Sequence, residues 1–435
     1  MRIWAIIAAV LCAGMALADP PRAVTEADYA PLDMAQVRLG RMLFYDPILS
    51  GNRNISCATC HHPKFATADG LALGLGEGAV GLGPERRAVP DTLPEARIPR
   101  NAPALFNLGA SEFTRLFHDG RIEADAGKPG GLRTPMGAEM TQGFANLLSA
   151  QTMFPVLSAD EMAGHYSEND VSQAVRQGRI TGSGGAWDIL SRRVADTPGY
   201  APLVAAAFPG VGGIGFTHIS DAIAAFVAFE WRSDTSPFDA HLRGQAALTG
   251  PARAGMALFY GDAGCGTCHG GPFQTDHGFH AMGVPQFGPG KAASFESHAR
   301  DTGRMRVTGH TEDAYAFRTP SLRNVTETAP YGHTGSHADL AAFIADHADP
   351  AAALDRFDRA TLRLPDLPGA QDWRHMDTPQ DQAALRAAIT VAPKALSDRH
   401  IAALVAFLGS LRDPVALTGR LGVPDGVPSG LPVDR

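Results

Sequence analysis

The sequence predicts an all-α chain of two domains whose helices are separated by long irregular loops. Three observations carry this. Apolar residues recur at helical spacing in separate stretches. A helix ending in aromatic residues and followed by Cys-x-x-Cys-His occurs twice, once in each half. The intervening segments are too rich in glycine and proline for alternating strands.

Taken in order, the chain of 435 residues opens with Arg2, an apolar run from Ile3 to Ala16, and Ala16-Leu17-Ala18 before Asp19. This pattern predicts a secretory signal over residues 1–18, with cleavage before Asp19. Cys12 lies inside the apolar run and reads as a filler residue. Ala35 to Phe44 is the first helix, carrying Val37, Met42 and Phe44, and leads through Tyr45-Asp46-Pro47 to Cys57-Ala58-Thr59-Cys60-His61. Gly70 to Gly83 and Gly178 to Gly185 are loops. Ile219 to Trp231 places Ile223, Phe226, Val227 and Trp231 at helical spacing, and Arg232 to Pro237 breaks it. Ala252 to Tyr260 then feeds Cys265-Gly266-Thr267-Cys268-His269, and His400 to Leu411 repeats the apolar stripe with Ile401, Leu404, Val405 and Leu408. The Pro/Gly-rich tail from Val423 is expected to wrap the surface or fray.

The doubled C-x-x-C-H is the most specific signal. Two thiols one helical turn apart suit the two vinyl groups of one porphyrin, and the next residue places an imidazole under its iron. At this chain's composition roughly 0.002 chance matches are expected in the whole chain, yet two are present. A zinc site built from both cysteine pairs, or two short disulfides, is the competing reading, but zinc does not need a histidine at that spacing and a two-residue disulfide loop gains little. Cys57, Cys60, Cys265 and Cys268 therefore attach two covalent haem c groups, with His61 and His269 as proximal ligands. Of the five cysteines, Cys12 falls in the leader and four are used by haem, so no disulfide is expected.

One attachment site per half gives two c-type cytochrome domains, residues 19–232 and 233–435, and the shared plan reads as a duplication. The net charge of −8 argues against nucleic acid as a partner, and no later apolar run is long enough for a membrane span. Haem attachment of this kind in bacteria takes place outside the cytoplasmic membrane, which points to the periplasm.

With these motifs in view, the chain resembles the bacterial diheme cytochrome c peroxidases and their relative MauG. The resemblance is carried by LGRMLFYDPILSGNRNISCATCH, RNAPALFN, FHDGR, CGTCHGGPFQTDHGFHAMGVP and FRTPSLRNVTETAPYGHTG, in that order. It implies two haem domains with a calcium ion between them, peroxide chemistry at the N-terminal haem and electron relay through the C-terminal one. The family's distal glutamine, the proline four residues on and the glutamate ten residues on fall at Gln151, Pro155 and Glu161. Glu139, nearer to Asp119-Gly120-Arg121, is the alternative acid. Glutamate suits the task of moving a proton between the two oxygens of peroxide, with glutamine orienting them.

Many family members cap the first iron with a histidine from the following loop. Here His62 is the only other histidine between His61 and Asn101, and it is too close to reach the opposite face, so the first haem is expected to be open. Twelve residues beyond Gly335, where the peroxidases carry methionine and MauG tyrosine, stands His347; a helix from Asp339 would deliver it to the second iron. Met282, Met305, Tyr331 and Met376 are the alternatives. A second imidazole lowers the potential relative to a thioether, which tilts the reading toward MauG-like oxidation. The resemblance also places calcium on Asn101, Thr328 and Pro330, oxygen donors suited to a hard cation. Where the family often has an inter-haem tryptophan, this chain has His118.

Trp187 and Trp231 read as core or surface residues rather than redox stations, His277 and His280 as packing or propionate contacts, and Arg318 and Arg323 as mostly solvated, with propionate pairing as the alternative. The function expected is a periplasmic peroxidase that reduces hydrogen peroxide with electrons from a small redox protein, a cytochrome c or cupredoxin. The alternatives are a MauG-like oxidase that modifies a partner protein and a plain electron carrier.

Overall fold

In a computed structural model of the chain, residues 20–292, 296 and 298–435 are described; the expected leader, residues 1–18 with Cys12, lies outside them. The fold is mostly helical, with a few very short strands. Among the described residues no helix is long and apolar enough to cross a membrane.

The helix Met34–Tyr45 packs on Phe216–Glu230, and Gly250–Tyr260 packs on Asp398–Gly409. The two pairs meet in the same way. A Cβ on Gly40 would lie 1.8 Å from the Ala222 carbonyl oxygen and 2.9 Å from Phe226 Cβ; on Gly255 it would lie 1.8 Å from the Ala403 oxygen and 2.9 Å from Phe407 Cβ. Only glycine lets the backbones approach this closely. The aromatic pair that ends each first helix closes over the crossing. Phe44 and Phe226 centroids are 5.4 Å apart, Phe259 and Phe407 5.1 Å; Tyr45 and Phe226 are 6.1 Å apart, Tyr260 and Phe407 5.9 Å. The duplication read from the two attachment motifs thus extends to the helix pair that supports each of them.

Trp231 is fully buried against Phe44 and Phe226 in the N-terminal core, and Trp187 stacks on Phe216. The tail returns to this first core rather than staying with the second. Ala416 and Val427 are buried in it, Ser429 Oγ donates to Asp46 at 2.7 Å, and Thr59 Oγ1 donates to the Asp434 carboxylate at 2.5 Å.

Two small sheets qualify the all-α expectation. Arg115–Leu116, Ile122–Ala124 and Leu132–Arg133 form an antiparallel set with Glu123 opposite both Arg115 and Arg133, and Phe279–His280 pairs with Phe317–Arg318. At two or three residues, each strand is too short to display a period of two.

Candidate functional site

Each attachment motif forms a single helical turn. The His61 amide donates to the Cys57 carbonyl at 3.0 Å and the His269 amide to Cys265 at 2.9 Å. Both imidazoles are tethered alike: His61 Nδ1 lies 2.9 Å from the Thr67 carbonyl oxygen, and His269 Nδ1 3.1 Å from that of Gln274. A carbonyl only accepts, so Nδ1 carries the proton and the Nε2 lone pair is left for a metal. Burial lowers the proton affinity of both rings, keeping them neutral. Burial also pushes the Cys57 and Cys60 thiols up to about 12. Among the described residues, the grouping of three or more metal-type ligands is Cys268, Asp276 and His280. The cysteine pairs do not converge, which removes the shared zinc site.

His347 projects from the helix Leu340–Ala348, whose first turn is capped by Asp339 accepting from the Ala342 amide at 2.8 Å. Its ring centroid lies 6.3 Å from that of His269, with planes inclined at 48°. A metal bonded at about 2 Å on each side, with about 1.15 Å from each nitrogen to its ring centre, requires about 6.3 Å. The pair therefore fits one iron between them. Burial, then the neighbouring His269, pushes His347 down to about 4, so it is neutral as a ligand must be. Phe343 packs beside it at 5.3 Å, and on the same helix Asp346 holds His337 Nε2 at 2.9 Å. Of the alternatives, Tyr331 stacks on Phe343 and Met376 accepts from Gln382.

His61 has no comparable imidazole partner among the described residues. His62 has both ring nitrogens engaged elsewhere: Nδ1 accepts from the Lys64 amide at 3.1 Å and Nε2 lies 3.3 Å from the Asp434 carbonyl. Gln151 ends the helix Leu147–Gln151, and its Oε1 is buried with no hydrogen-bond partner. Such an atom is costly unless something comes to it. Pro155 starts the next turn, and Ala159–Ala163 is wound wider than an α-helix, the Ala163 amide reaching back to Ser158 at 2.9 Å. Turns of this kind collect at functional sites. Glu161 sits on this turn, partly buried. Burial raises its proton affinity, opposed by Lys291 and Arg121 and assisted by Asp160. Glu139, in contrast, is exposed.

The glycine loop after the first motif positions this turn from below. Residues 66–79 are buried, and Gly76 brings its backbone so near that a Cβ would lie 2.0 Å from the Asp160 oxygen, while the Glu77 amide donates to that oxygen at 2.9 Å.

Asn101 is buried, its amide donating to the His333 carbonyl and its Nδ2 to Leu71, both at 2.8 Å. That leaves Oδ1 as the atom of its side chain that can serve a cation. Thr328 Oγ1 donates to Val325 at 3.2 Å, and the Ala329–Pro330 peptide is cis. The structure thus brings Asn101 to the segment just after Pro330, with oxygen donors of the kind calcium takes.

Between the halves lies a polar cluster that sequence reasoning missed. Arg100 pairs with Asp119 at 2.8 Å and Asp301 at 2.7 Å, all three buried. His333 stacks on Phe317 at 3.7 Å. His118 is enclosed nearby, its proton affinity driven far down by burial and by Arg100. Arg318 and Arg323 correct the expectation of solvated side chains. Burial takes Arg318 down to about 10, its Nε donating to the Phe117 carbonyl at 3.1 Å, and Arg323 forms a fully buried 2.6 Å pair with Asp239. The partners lie far away in sequence, so no local pattern announced them. His277 is 3.1 Å from Glu112, and His280 is 2.9 Å from Asp276.

Residues 34–247 match the family described as di-haem cytochrome c peroxidase. The chain is 29% identical to the methylamine utilization protein MauG of Methylorubrum extorquens over 402 residues, covering 92% of this chain and 84% of that one. It is also 29% identical to the cytochrome c551 peroxidase of Pseudomonas aeruginosa over 322 residues, covering 74% and 73%. A solved MauG-like protein associated with microbial copper homeostasis superposes with a TM-score of 0.53 at 26% identity, covering 93% of this chain and 96% of that one. Two attachment turns built alike, each with its imidazole tethered for metal binding, agree with these matches, and the chain belongs to the diheme cytochrome c peroxidase and MauG family.

Proposed function

We propose that this oxidoreductase is a periplasmic peroxidase in which hydrogen peroxide is reduced beside His61 and electrons arrive by way of the His269–His347 pair. The carrying observation is an asymmetry: His269 faces His347 across 6.3 Å, whereas His62, the residue after His61, has both ring nitrogens engaged elsewhere. When bound, the two haem c groups supply redox-active iron. The chain's residues do the rest. His61 and His269 would hold the iron through Nε2 while their Nδ1 protons stay on the carbonyls of Thr67 and Gln274.

Glu161 takes the proton from one peroxide oxygen at its carboxylate and returns it to the other, the leaving oxygen. Burial suits it to this, because a raised proton affinity brings a carboxyl closer to working pH. Gln151 Oε1 accepts the hydrogen bond of the hydroperoxide, which gives that buried oxygen a partner. Pro155 fixes the turn between them. Calcium on Asn101, Thr328 and Pro330 would tie the halves together, one donor coming from the first and two from the second. The electron donor is a small redox protein, a cytochrome c or cupredoxin.

The second reading is a MauG-like oxidase acting on a side chain of a partner protein. It is favoured by the pairing of His269 with His347, since a second imidazole on the iron would lower its potential and disfavour uptake of electrons from an ordinary cytochrome c. Mixing the diferric protein with stoichiometric peroxide separates the two. Rapid turnover on adding reduced cytochrome c supports the peroxidase; a persistent oxidised protein that ignores cytochrome c supports the second reading and overturns the first.

A further inference from the structure

A cavity of about 510 Å³ opens beside the turn that carries Glu161, with Asp160 in its wall. This is the size of a small-molecule site. Five cationic side chains line it, Arg97, Arg121, Arg133, Lys291 and Arg306, against two carboxylates, Asp119 and Asp160. One of those carboxylates is already engaged, because Asp119 pairs with Arg100 at 2.8 Å and with Arg121 at 3.1 Å. Lys291 and Arg306 have no ion-pair partner among the described residues.

Arg133 is paired with Asp125 at 3.1 Å, and three of the other cations are held in place. Arg97 is buried, with Nε on Asp372 at 2.8 Å while its Nη1 is buried without a partner. Arg121 lies 4.4 Å over the Phe117 ring. Lys291 follows a turn at Gly290, whose φ is +66° and where a Cβ would meet the Ala299 oxygen at 2.2 Å; its amide donates to the Arg300 carbonyl at 3.2 Å. Burial first, then the nearby guanidinium groups of Arg121 and Arg100, bring the Lys291 ammonium down to about 8, against the opposing pull of Glu161 and Asp301. An anion would relieve this crowding of like charges and give the unpaired Arg97 nitrogen an acceptor.

The lining also includes apolar residues, Pro99, Pro135, Pro289 and Val307. An inorganic oxyanion would leave these and most of the volume uncovered. We propose that the cavity binds a small organic carboxylate, its head on Lys291, Arg306 and the unpartnered Arg97 nitrogen and its carbon frame against the prolines.

The probe is benzoate, titrated calorimetrically into the diferric holoprotein beside the neutral isostere benzamide and inorganic phosphate. Binding is read directly, so the result does not depend on whether peroxide is the substrate. The expected result is saturable benzoate binding, at least tenfold tighter than either comparator and weakened tenfold or more in the Lys291→Gln, Arg306→Gln double variant. Arg306→Gln alone, at an exposed position, is the second variant should the double one fold poorly, and is expected to weaken binding threefold or more. No benzoate binding at millimolar concentration, equal binding in the variants, or phosphate binding as tightly as benzoate would each overturn the proposal.

Discussion

His269 and His347 lie with their ring centroids 6.3 Å apart, one on the second attachment turn and the other on a helix 71 residues further along the sequence. Two imidazoles on one iron favour the ferric state more than an imidazole and a thioether do. His347→Met should therefore raise the potential of the second haem, by on the order of 0.1 V within the ~0.8 V that axial ligands span. Potentiometric titration reads this, and an unchanged potential would mean that residue 347 does not bind the metal.

Glu161→Gln removes the proton acceptor while keeping the shape. Peroxide turnover should fall by about 10² to 10⁴, the usual contribution of a positioned acid–base group. Burial raises the proton affinity of Glu161, and the carboxylate is the working form. In the parent protein kcat/KM should accordingly decline as pH falls through a value above the ordinary ~4.3 of glutamate, and that acid limb should be missing from the variant. A Glu161→Gln protein with the parent rate and profile would return the role to Glu139.

The two helix crossings predict matching lesions. Gly40→Ala and Gly255→Ala each force a Cβ to within 1.8 Å of a facing carbonyl oxygen, so the helices must part. Overpacking of this severity costs about 3 kcal/mol, or roughly 6–12 °C in Tm for a domain near 200 residues. Calorimetry of the holoprotein variants measures it. A shift below about 1 °C in either would mean that the backbones do not touch there.

Much of this was legible in the chain itself. The attachment turns announce themselves because vinyl capture and iron ligation demand fixed residues at fixed offsets. The long helices announce themselves because their buried stripes run over several turns. The observed bounds, Met34–Tyr45 for Ala35 to Phe44 and Asp398–Gly409 for His400 to Leu411, differ by a residue or two at the ends. What stayed hidden is held together across distance. Arg100 and Asp301 are 201 residues apart and Arg323 and Asp239 84, so their burial as pairs leaves no periodic trace. The wide turn at Ala159–Ala163 packs closely on Gly76, a residue far away in sequence, and that contact leaves no local pattern either.

The calcium proposal has its own test. Asn101 Nδ2 is committed to Leu71, which leaves Oδ1 for the ion, so Asn101→Ala should weaken calcium binding at least about tenfold, a loss of about 1.4 kcal/mol. Asn101→Asp, which keeps an oxygen and adds charge, should not. Removing calcium with a chelator should slow electron transfer between the halves and lower turnover. Titration with a calcium indicator, together with turnover before and after readdition, decides it; turnover that is indifferent to chelation and calcium would contradict the assignment.

The central claim is that the two metal sites differ, one closed by nitrogen on both faces and the other open to peroxide. Electron paramagnetic resonance of the diferric protein tests it most directly. The expected spectrum is one high-spin signal from the haem on His61 and one low-spin signal from the haem on His269, with the low-spin signal lost in His347→Ala. Two low-spin signals in the parent protein, or a low-spin signal that survives in His347→Ala, would contradict the account.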